Sequence, residues 1–121
     1  MFSTVRFVCV FTAFVGLQAA RAACDFPPEV AIPDGNTATK EQMLAASAAM
    51  KEYQAAVDEY RACLDQQETP LAPNATEEQR KEHDEQQRIH IERHNAAVDA
   101  ETKLADRYNE QVRAFKKKQS N

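Results

Sequence analysis

The chain has 121 residues and an acidic balance, with 19 Asp and Glu against 15 Lys and Arg and a formal net charge of −4. This balance argues against a nucleic-acid-binding surface, which needs Lys and Arg side chains set against phosphates. The chain has only two glycines, Gly16 and Gly35, which excludes a glycine-rich phosphate-binding loop.

The first 22 residues have the organisation of an export signal. A single positive charge, Arg6, precedes an apolar run at residues 7–20, which is too short to span a bilayer as a helix. Ala20 and Ala22 are the small residues that signal peptidase reads, so cleavage is predicted near Ala22, with export to the periplasm or beyond. Loss of Arg6 and Arg21 lowers the formal net charge from −4 to −6. No second apolar run follows, so the mature chain is predicted to have no membrane span.

Two cysteines, Cys24 and Cys63, remain after the signal is removed. Lipid attachment at Cys24 is disfavoured because the charged Arg21 stands where a leucine-like residue is needed. The spacings of redox, haem and zinc-finger motifs are absent, and an even number of cysteines in an oxidising compartment favours a disulfide. The predicted Cys24–Cys63 bridge contributes about 4 kcal/mol in the chain-entropy model, so Cys24 is interpreted as structural.

Residues 23–38 form the first part of the mature chain and contain three prolines and a Pro33-Asp34-Gly35 turn signal. The prolines forbid a helix and favour an extended path, because each removes a backbone donor and restricts φ.

The rest of the chain, residues 39–121, is predicted to form two helices. The pattern T-x-x-Q occurs at Thr39 and again at Thr76, and each copy opens a long segment without Gly or Pro. The helices are expected at about 40–66 and 77–117, joined by a connection that contains Pro70 and Pro73. Apolar residues of the first helix recur at spacings of three and four and form one seam, at Met43, Ala46, Met50, Tyr53, Val57, Tyr60 and Leu64.

The predicted fold class is all-α, an antiparallel helical hairpin with an extended N-terminal segment tied back by one disulfide. The extended segment is long enough to return beside the first helix, so Phe26, Val30 and Ile32 are expected to cover the groove that two helices leave open.

Three stretches of the mature chain, "CDFPPEVAIPDG", "MKEYQAAVDEYRACL" and "RHNAAVDAETKLADRYNEQVRAFK", carry a resemblance. They are similar to small exported helical proteins of Gram-negative bacteria, in which a Cys and a Pro-Asp-Gly turn precede two helices and the first helix ends in Tyr-x-x-Cys-Leu. The resemblance implies a location and a fold; it supplies no catalytic residues, because the group has no established activity.

Two histidines of the second helix are candidate metal ligands. His90 and His94 stand four residues apart, a helical spacing that can chelate zinc, copper or nickel. The order His-Ile-Glu-Arg-His differs from the metalloprotease pattern, and no Glu precedes a histidine by three residues, as a di-iron bundle requires. The alternative interpretation is that both are ordinary surface residues.

No pattern in this sequence indicates a serine or cysteine nucleophile activated by a histidine. Enzymatic activity is therefore not expected, and no cofactor is predicted. The seam tyrosines, Tyr53, Tyr60 and Tyr108, are interpreted as core residues, with a ligand site as the alternative. The predicted function is that of a cell-envelope structural or interaction protein with an unidentified envelope partner. A periplasmic metal-binding or chaperone-like stress protein is the alternative.

The expected register of the two helices predicts self-association. If the connection turns near Ala72, Val57 lies opposite Gln87 and Met50 lies opposite His94, so the apolar end of the second helix overhangs the first. The overhanging stripe consists of Leu104, Ala105, Tyr108, Val112 and Phe115. The N-terminal segment, a break in the second helix or a second copy could cover it, and the second copy is favoured, with Leu104, Tyr108, Val112 and Phe115 as the homodimer interface.

Overall fold

The computed structural model describes residues 23–120, so the predicted signal peptide lies outside the described part of the chain. Two helices account for most of it, α1 at Lys40–Gln66 and α2 at Glu77–Gln119, and no strand occurs within the described range. The predicted helical hairpin is confirmed, and α2 ends two residues later than expected.

Both helices begin at the predicted capping boxes. The hydroxyl of Thr39 accepts a hydrogen bond from the Gln42 amide, and the Gln42 side chain accepts one from the Thr39 amide. Thr76 and Gln79 repeat this arrangement at the start of α2. Each box satisfies backbone donors that the first helical turn leaves without partners, which explains why both helix starts could be read from the sequence.

The core lies along one face of α1, where all seven seam residues are buried. Val57 is 0% exposed, and on α2 the buried residues are Ala97 and Leu104, at 1% each. Val30 and Ile32 of the N-terminal segment pack on this core from the third side. The hairpin therefore has three layers of chain around one narrow apolar centre.

A disulfide joins Cys24 to Cys63, as predicted, with Cα atoms 5.8 Å apart. It places the start of the N-terminal segment at the last turns of α1, where Phe26 meets Tyr60 edge to face at 5.2 Å between ring centroids. From there the segment runs back along the hairpin to the start of α1, which confirms the predicted return of the extended segment beside α1.

The N-terminal segment contacts α2 more than the sequence suggested, since α1 was expected to be its main partner. Glu29 forms an ion pair with Arg107, the Gly35 amide donates to Oε1 of Gln111 at 2.9 Å, and Lys118 donates to the Ala38 carbonyl at 2.8 Å. A turn around Asp34, whose carbonyl accepts from the amides of residues 37 and 38, directs the chain into α1. The segment thus bridges both helices.

The predicted register between the helices is wrong. His94 contacts Arg61 and Asp65, whereas the sequence argument placed it opposite Met50. The shift is 11 residues, from position 50 to position 61, or about 16 Å of helix. The connection at residues 67–76 does not turn tightly. It lies beside the first part of α2, which extends beyond the end of α1. The polar first third of α2 consequently faces the connection, and its apolar half packs on α1.

The overhanging stripe therefore does not exist in this structure. Leu104 is buried in the core, Ala105 and Tyr108 pack against it, and Val112 and Phe115 are half-buried. Helix α2 runs without a break, so the register shift and the N-terminal segment together cover the stripe. The overhang from which the homodimer was predicted is therefore absent, and the homodimer itself stays a prediction. Neither helix within residues 23–120 is long and apolar enough to cross a membrane.

Candidate metal centre

The two predicted ligand residues lie side by side in the middle of α2. His90 and His94 are one helical turn apart, and their ring centroids are separated by 4.7 Å. Both side chains are largely covered, at 18% and 20% exposure, because they face the C-terminal end of α1. Position on the inner edge of the hairpin distinguishes them from ordinary surface histidines.

The C-terminal turn of α1 supplies a carboxylate between the two rings. Oδ1 of Asp65 lies 2.8 Å from Nε2 of His94 and 3.4 Å from Nε2 of His90. One carboxylate oxygen thus contacts the Nε2 atom of each imidazole. The shifted register creates this arrangement, since it places residue 65 against residues 90 and 94.

A second carboxylate approaches from the connection that follows α1. Oε1 of Glu68 lies 3.4 Å from Nε2 of His90. The side chains of Asp65 and Glu68 are 59% and 42% exposed, so water reaches the carboxylate side of the cluster. The centre therefore has covered imidazoles on one side and accessible carboxylates on the other.

Arg61 determines the proton arrangement on His94. Its Nε–H donates to Nδ1 of His94 at 3.4 Å, so Nδ1 acts as an acceptor. In the neutral ring the proton then resides on Nε2, which donates a hydrogen bond to Oδ1 of Asp65. Arg61 also pairs with Asp58, at 3.5 Å. For Nε2 of His94 to bind a metal ion, the proton must move to Nδ1 and the Arg61 hydrogen bond must break.

The donor atoms have the spacing that a small metal ion needs. Within residues 23–120, Asp65, His90 and His94 form a group whose ligand atoms all lie within 4.8 Å of one another. A tetrahedral ion bound at about 2.0–2.1 Å separates its ligand atoms by about 3.4 Å. The 3.4 Å between His90 and Asp65 matches this value, and the 2.8 Å between His94 and Asp65 requires only a small opening. Two imidazoles and one carboxylate suit zinc, copper or nickel.

The other candidate residues lie apart from this centre. His83, the third histidine of α2, is a further two turns towards the start of the helix and lies near Asp84, at 3.9 Å. Tyr53 and Tyr60 are buried in the core, and Tyr108 packs against it. Burial, followed by the negative charges of Glu29 and Glu101, raises the pKa of the Tyr53 phenol. The tyrosines thus occupy the positions predicted for core residues.

Sequence reasoning found the histidine pair but missed Asp65 and Glu68. The pair is visible because both ligands lie on one helix at fixed spacing. The carboxylates stand more than twenty residues earlier, and their place depends on a register that the sequence argument had wrong. A search for acidic residues near the end of α1 could have found them only after the helices had been aligned.

The chain matches no protein-family model, and comparison with curated proteins and with solved structures found no match. The function is therefore inferred from the geometry of the centre itself.

Proposed function

We propose that this protein is an exported, non-enzymatic metal-binding protein that holds one divalent transition-metal ion between Asp65, His90 and His94. The observation that supports the proposal is the convergence of three ligand atoms, from the end of α1 and the middle of α2, within 4.8 Å. The sequence had singled out two of the three residues by their spacing alone.

The ligand set favours zinc, copper or nickel over calcium or magnesium. Calcium and magnesium prefer cages of oxygen atoms, whereas two of the three donors here are imidazole nitrogens. Oε1 of Glu68 lies 3.4 Å from Nε2 of His90, close enough for Glu68 to act as a fourth ligand when no exogenous ligand is bound.

The predicted export is part of the same proposal. The apolar run near the N-terminus predicts passage out of the cytoplasm, and the Cys24–Cys63 disulfide suits an oxidising compartment. The broader prediction, a cell-envelope protein that acts through its helical surface, is compatible with metal binding. Ile91 and Val98 are exposed apolar residues of α2 that an envelope partner would meet.

Isothermal titration of the oxidised protein with Zn²⁺, Cu²⁺ and Ni²⁺ tests the proposal. We expect one ion per chain with a Kd of about 10 μM or tighter for at least one of the three. His94→Ala should weaken binding by at least about tenfold, since it removes one of three ligands. His83→Ala is the matched control, because it removes a histidine from the same helix outside the centre, and it should leave affinity unchanged. Weaker binding by the wild type, or equal losses in both variants, would contradict the proposal.

A further inference from the structure

A cavity of about 420 Å³ lies between the connection at residues 67–76 and the first half of α2. The connection contributes an apolar wall with Leu71 and Ala75, to which Leu64 of α1 is added. The facing wall comes from α2 and is mostly polar, with Gln79, His83 and Gln86 among its residues. The polar start of α2 therefore forms one wall of this cavity, and the opposite wall is apolar.

The cavity adjoins the candidate metal centre. His90 and Glu68 both line it, and His90 is also a member of the ligand group with Asp65 and His94. A zinc ion held by three protein ligands has one open position when it is four-coordinate and two when it is five-coordinate, and a bidentate ligand fills two. Because His90 lines the cavity, an exogenous donor bound there would lie next to one of the three proposed ligands of the ion.

We propose that the cavity binds a small N,O-chelating ligand of the α-amino-acid type, whose amine and carboxylate complete the coordination of the metal ion. This inference rests on the proposed metal-binding function. The volume is at the small end of the range for ligand pockets, which suits a molecule of this size. The apolar wall at Leu64, Leu71 and Ile89 would receive the ligand's side chain.

The charges around the cavity agree with this ligand class. Arg93 lines the cavity and stands three residues after His90 on α2, so it can attract the ligand's carboxylate. Without the metal ion, Arg93 and the glutamine side chains of the cavity would bind an amino acid only weakly. The metal ion therefore provides most of the affinity, and ligand binding is expected to depend on it.

Titration of L-phenylalanine into the zinc-loaded protein and into the zinc-free protein tests the proposal by ligand-observed NMR. We expect binding to the zinc-loaded protein at least about tenfold tighter than to the zinc-free protein. Equal affinity for both forms, or no binding to the zinc-loaded protein at millimolar concentration, would overturn the inference.

Variants that fill the cavity separate this inference from the proposed function. Leu71→Trp on the connection and Gln86→Trp on α2 each place bulk in the cavity without removing a metal ligand. Both should lose phenylalanine binding and keep the zinc affinity of the wild type, and Leu44→Trp, on an exposed site of α1, should keep both. Zinc binding with unchanged phenylalanine affinity in both cavity variants overturns the ligand proposal alone. A wild type that binds none of zinc, copper and nickel overturns the metal proposal as well.

Discussion

Gly35 lies against the backbone of α2 at Gln111, so closely that the two residues leave no room for a side chain. A Cβ atom at Gly35 would stand 2.0 Å from the Gln111 carbonyl oxygen and 2.9 Å from the Phe115 nitrogen. The Gly35 amide donates to Oε1 of Gln111. Gly35 does not have a positive φ, so close approach of two backbones, rather than turn conformation, requires glycine here.

Gly35→Ala should destabilise the protein by about 1–3 kcal/mol, because the added methyl group pushes the N-terminal segment away from α2. Urea unfolding followed by circular dichroism measures the change. Gln111→Ala, which removes only the side-chain hydrogen bond, should cost about 1 kcal/mol. The double variant should remain as unstable as Gly35→Ala or more so, since the clash involves backbone atoms. Restoration of stability in the double variant would contradict the steric explanation.

Replacing both disulfide cysteines by serine should release the beginning of the N-terminal segment while the helices remain folded. After the change, the start of the segment loses its covalent link to α1 and keeps the Phe26–Tyr60 contact, whereas residues 35–38 retain their hydrogen bonds to α2. Limited proteolysis with thermolysin should cut first between residues 25 and 33, and global stability should fall by about 2–4 kcal/mol.

The wild type under the same conditions is the control, and it should resist cleavage in this segment. First cleavage within α1 or α2 of the double-serine variant would show that the disulfide supports the helices directly.

Arg61→Ala should strengthen metal binding, an unusual direction for a residue beside a metal site. Arg61 donates to Nδ1 of His94, and this hydrogen bond must break when Nε2 takes up an ion. Removing a bond worth about 1 kcal/mol raises affinity about fivefold, and loss of the positive charge adds to the effect. Titration with zinc measures it. Arg61→Lys keeps the charge and separates the two contributions, and weaker binding by Arg61→Ala would contradict the assigned role.

Tyr53 should make the protein lose stability in alkaline solution. Burial, and then Glu29 and Glu101, raise the pKa of its phenol in the folded state. A group whose folded pKa is raised contributes stability that is present below its unfolded pKa, about 10, and is lost as pH rises through the folded value. Urea unfolding at a series of pH values should therefore show a smaller decline above about pH 10 for Tyr53→Phe than for the wild type.

Glu101→Gln provides the second measurement, since it removes one of the two negative charges but leaves burial intact. Ultraviolet titration, with Tyr53→Phe as the subtracted reference, should give a lower Tyr53 pKa in this variant than in the wild type. A Tyr53 phenol that ionises at or below the pKa of free tyrosine would refute the argument.

Leu104→Ala should destabilise a single chain by about 2–5 kcal/mol, because Leu104 is buried in the core. The unfolding midpoint should not change with protein concentration, and Ile91→Ala, at an exposed site of the same helix, should change stability by less than about 0.5 kcal/mol. A midpoint that rises with concentration would support the homodimer predicted from the sequence. In that case, replacement of Tyr108 and Phe115 by alanine should dissociate it.

Local sequence signals determined the elements of this protein. The capping boxes at Thr39 and Thr76 and the prolines of the connection mark where the helices begin and where α1 ends. The alternating three- and four-residue spacing identified all seven buried residues of α1. The two cysteines that lie outside the predicted export signal implied their own pairing. These signals involve neighbours in the chain or a count of residues, so no tertiary information was needed.

The relative position of the helices was decided only by the tertiary structure. A tight turn would have set the polar start of α2 against the apolar seam of α1, and burial of Ala97 and Leu104 there outweighs the cost of an extended connection. The same shift brings Asp65 to His90 and His94 and forms the cavity beside them. The spacing of apolar residues along one helix is the same for every alignment with its partner, so it does not determine the register between the two helices. The candidate centre, which joins residues from both helices, therefore exists only once packing has selected one alignment.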